Sequence, residues 1–179
     1  MRILLVDNAD SFTRNLEHLL TSTVPGSMVR VVAYVGLAQI DPAKYDLVVI
    51  SPGPGRPDDY PAYARVFAAG GPVLGICLGM QLINQWRGGR TEMLPDCVHG
   101  RTEAIDWAGE RCRVARYHSL HVTGVGRGLT VLACNDAGVI MALGSRADRL
   151  LGYQFHPESF MTPDGGIFIA HALDFLGLS

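Results

Sequence analysis

The chain is poor in the features that mark special environments. Its four cysteines, Cys77, Cys97, Cys112 and Cys134, stand far apart and form no Cys-x-x-Cys pair. That spacing argues against a zinc site and against a secreted disulfide framework, so neither metal nor cofactor is expected. There is no excess of one charge: 15 Lys and Arg face 17 Asp and Glu, and the basic residues are scattered. Charge therefore names no partner, and nucleic-acid binding is not expected. Long apolar runs are missing too. Leu47-Val48-Val49-Ile50 falls far short of the ~20 residues that cross a bilayer, so no membrane association is expected. Met1-Arg2 leads straight into Ile3-Leu4-Leu5-Val6-Asp7, leaving no room for the apolar region of a signal peptide, and a cytoplasmic location is the expectation. No repeat, low-complexity stretch or linker divides the sequence, which predicts one domain over residues 1–179. With 48% hydrophobic residues, a domain of this size buries roughly 70% of its unfolded surface and needs no covalent staple.

What is present is a series of short apolar runs, each ending in a polar or glycine-rich turn and followed by a helical pattern. That is how parallel strands with crossover helices read, and it predicts an α/β fold. Strands are predicted over Arg2 to Val6, Met28 to Tyr34, Tyr45 to Ile50, Pro72 to Ile76 and Leu150 to Phe155. Ser11 or Thr13 is a candidate cap for a helix through His18 to Leu20. Further helices are expected over Ala62 to Ala69, just beyond Cys77 to Gly88, and over Ile167 to Leu176. Met80, Leu82, Ile83 and Trp86 recur at helical spacing in the second of these. Between Thr91 and Leu143 the pattern is less regular and holds turn pairs such as Ala108-Gly109, which predicts shorter antiparallel strands.

Cys77 stands at a strand-to-helix turn within Gly75-Ile76-Cys77-Leu78-Gly79, the Gly-x-nucleophile-x-Gly form of a nucleophile elbow. So tight a turn strains the central residue and crowds its neighbours, which is why positions without a β-carbon flank it. The N–H groups of the following helix turn then point at the sulfur and favour the thiolate. The bland alternative is a structural cysteine between two glycines.

A thiol is only a few per cent ionised at neutral pH, so the chemistry needs a base. Of six histidines, His18 and His171 fall in predicted helices, His99 precedes Gly100 in a loop, and His118 and His121 lack a carboxylate nearby in sequence. His156 differs. In Gln154-Phe155-His156-Pro157-Glu158-Ser159 it ends a buried strand, and the break at Pro157 lets Glu158 fold back onto its ring, fixing the tautomer and leaving the other nitrogen for the thiol. Ser51-Pro52-Gly53-Pro54-Gly55-Arg56-Pro57 follows a strand at the same sheet edge and exposes backbone N–H groups. Those of Gly53 and Leu78 are candidates for an oxyanion hole. A phosphate cradle is the alternative for this turn, but no Gly-Lys-Ser/Thr ending supports it.

These three blocks, in this order, resemble the class I (triad) glutamine amidotransferases. Asp7-Asn8-Ala9-Asp10-Ser11-Phe12-Thr13, His99-Gly100-Arg101 and Arg116-Tyr117-His118-Ser119-Leu120 are similar to the glutaminase subunits of anthranilate synthase and aminodeoxychorismate synthase. The resemblance covers essentially the whole chain. It implies a flavodoxin-like three-layer αβα fold, with a mostly parallel central sheet and a small antiparallel addition. It further implies Cys77 as nucleophile, His156 as base and then acid, Glu158 as orienter, and Gly53 with Leu78 as the oxyanion hole. Gly53, Pro54, Gly55, Gln81, Ser119 and Leu120 would hold L-glutamine, and His99 and Gly100 would meet a chorismate-binding synthase. Two positions depart from the pattern: Met80 stands where these subunits often have histidine, and Ala9 where a bulkier residue is common. A stand-alone cysteine hydrolase and a catalytically silent scaffold are the competing readings.

Overall fold

A computed structural model describes residues 1–94 and 100–179; the His99 assignment lies outside the described residues. Along the chain run strand β1 (Arg2–Asp7), helix α1 (Thr13–Thr23), β2 (Met28–Ala33), β3 (Leu47–Ile50), α2 (Ala64–Ala68), β4 (Val73–Ile76) and α3 (Leu78–Trp86). Then follow β5 (Arg90–Met93), β6 (Arg101–Trp107), β7 (Glu110–Arg116), β8 (Leu120–Gly124), β9 (Thr130–Cys134), β10 (Ile140–Ser145), β11 (Leu150–Tyr153) and α4 (Gly166–Phe175).

Seven strands make the main sheet in the order β2-β1-β3-β4-β11-β10-β9. The first four neighbouring pairs, β2 through β11, are parallel, while β10 and β9 add antiparallel strands at one edge. This is the flavodoxin-like order, in which ligands bind beyond the carboxyl ends of the strands. The pleat splits the core in two. Ile3, Leu5, Val49 and Ile76 face α1 and α4, whose Leu16, Leu20, Phe168 and Ala172 are fully or almost fully buried. Leu4, Val6, Val48 and Ile50 face the opposite way, toward Val66 of α2 and Met80, Leu82 and Ile83 of α3. Period-two alternation in strands buried on both faces thus supplies two cores, and each buried leucine or isoleucine contributes about 1.5–3 kcal/mol. Two small antiparallel pairs, β5 with β8 and β6 with β7, form the remaining additions. The β6–β7 turn places Ala108 and Gly109 at φ 54° and 85°, the paired left-handed residues of a tight hairpin.

Three expectations need correction. Neither Ser11 nor Thr13 caps α1: Phe12 occupies that position without a side-chain bond, and Thr13 turns its hydroxyl to donate to Asp7 Oδ1 at 2.7 Å. The helix expected over Ala62 to Ala69 begins as a 3-10 turn, Pro61–Tyr63, because proline's fixed φ starts a tight turn before α2 proper. The strand expected to reach Phe155 stops at Tyr153, where the chain turns toward β7.

Candidate active site

Four loops converge beyond the carboxyl ends of β1, β3, β4 and β11. At the end of β4, Cys77 adopts φ 52° and ψ −101°, a strained conformation for a residue with a side chain. Close packing enforces it. A β-carbon at Gly75 would lie 2.3 Å from the carbonyl carbon of Gly79, and one at Gly79 would lie 2.7 Å from the Ile50 oxygen. The Cys77 N–H donates to the Tyr153 carbonyl at 2.7 Å, tying the elbow to β11. Helix α3 starts at the next residue, and the Met80 and Gln81 N–H groups of its first turn donate to the Cys77 carbonyl at 3.1 and 3.3 Å.

His156 lies just past β11 and its N–H donates to the Ala115 carbonyl at 3.1 Å. Its Nδ1 sits 2.7 Å from Glu158 Oε1, with both side chains buried. An Nδ1–H donating to that carboxylate leaves Nε2 turned away, and Nε2 has no hydrogen-bond partner among the described residues. Burial by itself lowers the basicity of the ring, but the Glu158 carboxylate and the neighbouring Cys77 sulfur outweigh it, and the His156 pKa is raised well above the ordinary histidine value. The rings of Phe12 and Tyr117 pack edge-on against it, at 5.7 and 5.0 Å between centroids.

Cys77 and His156 line one cavity of about 220 Å³, together with Gly53, Pro54, Gly55, Leu78, Gln81, Ser119 and Leu120. Every residue assigned from the sequence to chemistry or substrate, apart from Glu158 behind the imidazole, thus borders one space. Gly53 is wedged in place: a β-carbon there would lie 2.5 Å from Asn8 and 2.9 Å from Leu78. Gly100 lies elsewhere, exposed at φ 71° with its N–H on the Arg116 carbonyl. Met80 is fully buried and packs where a β-carbon on Gly152 would go, so this departure from the family pattern sits in the core rather than the cavity. Ala9 is exposed at φ 61°.

Several residues at the site carried no role in the sequence reading. Asn8 spans two loops: its N–H and Nδ2 donate to Ser51 Oγ (3.0 Å) and Ser51 O (2.8 Å), and its Oδ1 accepts from Tyr63 at 2.5 Å. Burial raises the Tyr63 pKa well above that of a free phenol, so this hydroxyl stays a donor. His118 also lines the cavity. Its Nδ1–H donates to the Leu120 carbonyl at 2.8 Å, and burial, with Arg116 nearby, lowers its pKa to about 3, so it is neutral there. Gln154 is fully buried beside Cys77. Its signal was available: a glutamine closing an otherwise apolar strand needs buried partners.

The arrangement suits acyl transfer, with a strained thiol at a helix start, a carboxylate-held imidazole and a glycine- and proline-rich loop around one cavity. The family description "Glutamine amidotransferase class-I" matches residues 4–174. The chain belongs to this family.

Its relatives include an aminodeoxychorismate synthase of Streptomyces griseus, 42% identical over 97% of this chain, and an anthranilate synthase component 2 of Helicobacter pylori, 35% identical over 98% of it. The chain spans 26% of the first protein and 98% of the second. A solved structure from Thermoplasma acidophilum, described as a GMP synthase subunit, superposes with a TM-score of 0.83 at 19% identity, covering 99% of this chain and 94% of that one. That likeness concerns the fold. This class I glutamine amidotransferase shows no helix, among the described residues, long and apolar enough to cross a membrane. Nor do those residues hold a group of three or more His, Cys, Asp or Glu side chains arranged for a metal ion.

Proposed function

We propose that this amidotransferase hydrolyses L-glutamine to glutamate and delivers the ammonia to a separate chorismate-using synthase chain. The observation that carries the reading is the buried Glu158 carboxylate 2.7 Å from one nitrogen of His156, with that imidazole and Cys77 lining the same cavity. In this reading the whole of residues 1–179 is one amidotransferase domain acting in the cytoplasm.

The Cys77 thiolate attacks the side-chain carboxamide carbon of glutamine, and the negative charge that develops on its oxygen is met by the N–H groups of Gly53 and Leu78. His156, protonated at Nε2, gives that proton to the departing nitrogen; the carbon–nitrogen bond breaks, and ammonia and a γ-glutamyl thioester result. Water then attacks the thioester with His156 as base, glutamate leaves and the thiolate returns. Glu158 stabilises the imidazolium throughout. Pro54, Gly55, Gln81, Ser119 and Leu120 line the same cavity and would hold the amino-acid end of the substrate. Gly100, with His99, belongs to the face offered to the synthase.

The names of the relatives favour the anthranilate or aminodeoxychorismate branch as the consumer of the ammonia. The test is to mix the chain with each candidate synthase and chorismate, supplying either glutamine or an ammonium salt. Glutamine-dependent product that disappears in Cys77→Ala while ammonium-dependent product persists supports the reading. Full-speed turnover of some other substrate by the chain alone would instead identify a stand-alone hydrolase.

A further inference from the structure

Gln154 follows β11 directly, and its backbone N–H donates to the Met141 carbonyl at 2.9 Å, so its side chain is free to serve elsewhere. That side chain joins two parts of the site. Its Nε2 lies 3.6 Å from Cys77 Sγ, and its Oε1 lies 3.2 Å from Gln81 Nε2. Gln81 Nε2 in turn lies 3.3 Å from the Leu120 carbonyl.

The polarity of this row is dictated by its far end. A carboxamide can be turned end for end, but a backbone carbonyl only accepts. Gln81 must therefore present its NH₂ to Leu120. The second hydrogen of that NH₂ faces Gln154 and requires an oxygen there, which turns the Gln154 NH₂ onto the sulfur. An N–H aimed at sulfur favours the anion over the thiol, because an ionised acceptor takes the stronger hydrogen bond and the neutral thiol is a weak one.

We propose that Gln154 is a further catalytic residue that donates to the reacting sulfur of Cys77, its amide held in that sense by the Leu120 carbonyl acting through Gln81. The inference rests on Cys77 being the nucleophile, as argued above, and adds a link between it and two residues at the substrate end of the cavity. A ligand that draws on the Gln81 amide acts on the same row that holds the sulfur.

The experiment is the pH dependence of Cys77 alkylation by iodoacetamide, read by peptide mass on the intact chain without substrate or synthase. Beyond Gln154, the titratable groups around the sulfur are His156 with Glu158 behind it after β11, Tyr117 and His118 between β7 and β8, and Asp10 between β1 and α1. All of these are unchanged in Gln154→Met, which removes the donor to the sulfur together with the oxygen that accepts from Gln81. Its alkylation midpoint is expected to rise by about one pH unit, with a several-fold slower reaction at pH 7. Gln154→Glu keeps the shape but sets a carboxylate against the sulfur, and should rise further. Gln81→Met does not touch the sulfur, yet frees the Gln154 amide to turn, and should shift the midpoint the same way by less.

Folded Gln154→Met or Gln154→Glu protein with a wild-type midpoint would overturn the proposal. The Gln81 variant supplies the reading if the others do not fold, since an unmoved midpoint there removes the row that sets the amide's sense. Failure of the nucleophile assignment looks different: wild-type Cys77 would itself alkylate no faster than Cys112, whose thiol is held up by burial and nearby acidic groups. A fast wild-type Cys77 with unmoved variants would sink the role of Gln154 alone.

Discussion

His156 and Glu158 are separated by a single proline yet face one another across 2.7 Å, both side chains sealed from solvent. Proline supplies no N–H to continue the strand, and the chain folds back so sharply that the Ser159 N–H returns to the His156 carbonyl at 3.2 Å. The Thr162 hydroxyl closes the turn, donating to the same carbonyl at 2.6 Å. The pair is thus held by backbone geometry rather than by attraction alone.

From this relationship follows an order of severity. His156→Ala removes the proton carrier and should lower glutamine-dependent kcat by about 10³–10⁴. Glu158→Ala leaves the ring in place without its anchor and should cost less than loss of the ring itself. Steady-state kinetics of both variants with the synthase checks this, and the opposite ranking would reject the assigned roles.

The elbow glycines should be intolerant for steric reasons. Gly79→Ala places a β-carbon 2.7 Å from the backbone oxygen of Ile50, the last residue of β3. An expected loss of about 1–3 kcal/mol is readable as a lower urea midpoint. Gly71, with no neighbour within 4 Å of an added β-carbon, is the control, and Gly71→Ala should leave the midpoint nearly unchanged.

Asn8 should matter for both stability and rate. Asn8→Ala strips Ser51 O and Tyr63 of buried hydrogen-bond partners, at about 1–3 kcal/mol. The turn it braces carries Gly53, so kcat should fall beyond what the residual folded fraction explains. Stability loss with unaltered kcat would show that the brace is purely structural.

Acid should destabilise the chain through His118. Its folded pKa of about 3 lies below the ordinary 6.5, so its contribution is intact above pH 6.5 and is lost as pH falls toward 3. At pH 5 the loss is about 2 kcal/mol. His156 has the opposite shift: its contribution is complete below 6.5 and fades as pH rises through its raised folded pKa, so it stays level in this window. Urea midpoints at pH 6.5 and pH 5 should therefore differ less in His118→Asn than in the wild type. Equal differences in the two proteins would rule out this origin.

Much of this molecule was legible in order along the chain. Glycine at positions 75 and 79, an apolar run ending at Ile50 and a proline after His156 each carry their meaning locally. A tight turn needs bare positions, a buried parallel strand is apolar on both faces, and proline stops a strand. Boundaries were read less well, because strand ends such as Tyr153 are set by where a neighbouring chain passes.

Tertiary structure alone decided which polar groups meet. Nothing in the spacing of Asn8, Ser51 and Tyr63, or of Gln81, Leu120 and Gln154, reveals that each trio forms one hydrogen-bonded row. The backbone periods fix only which way a side chain points from its own element. Burial then obliges every amide and hydroxyl to find a partner, and the order of strands in the sheet determines which partners are within reach.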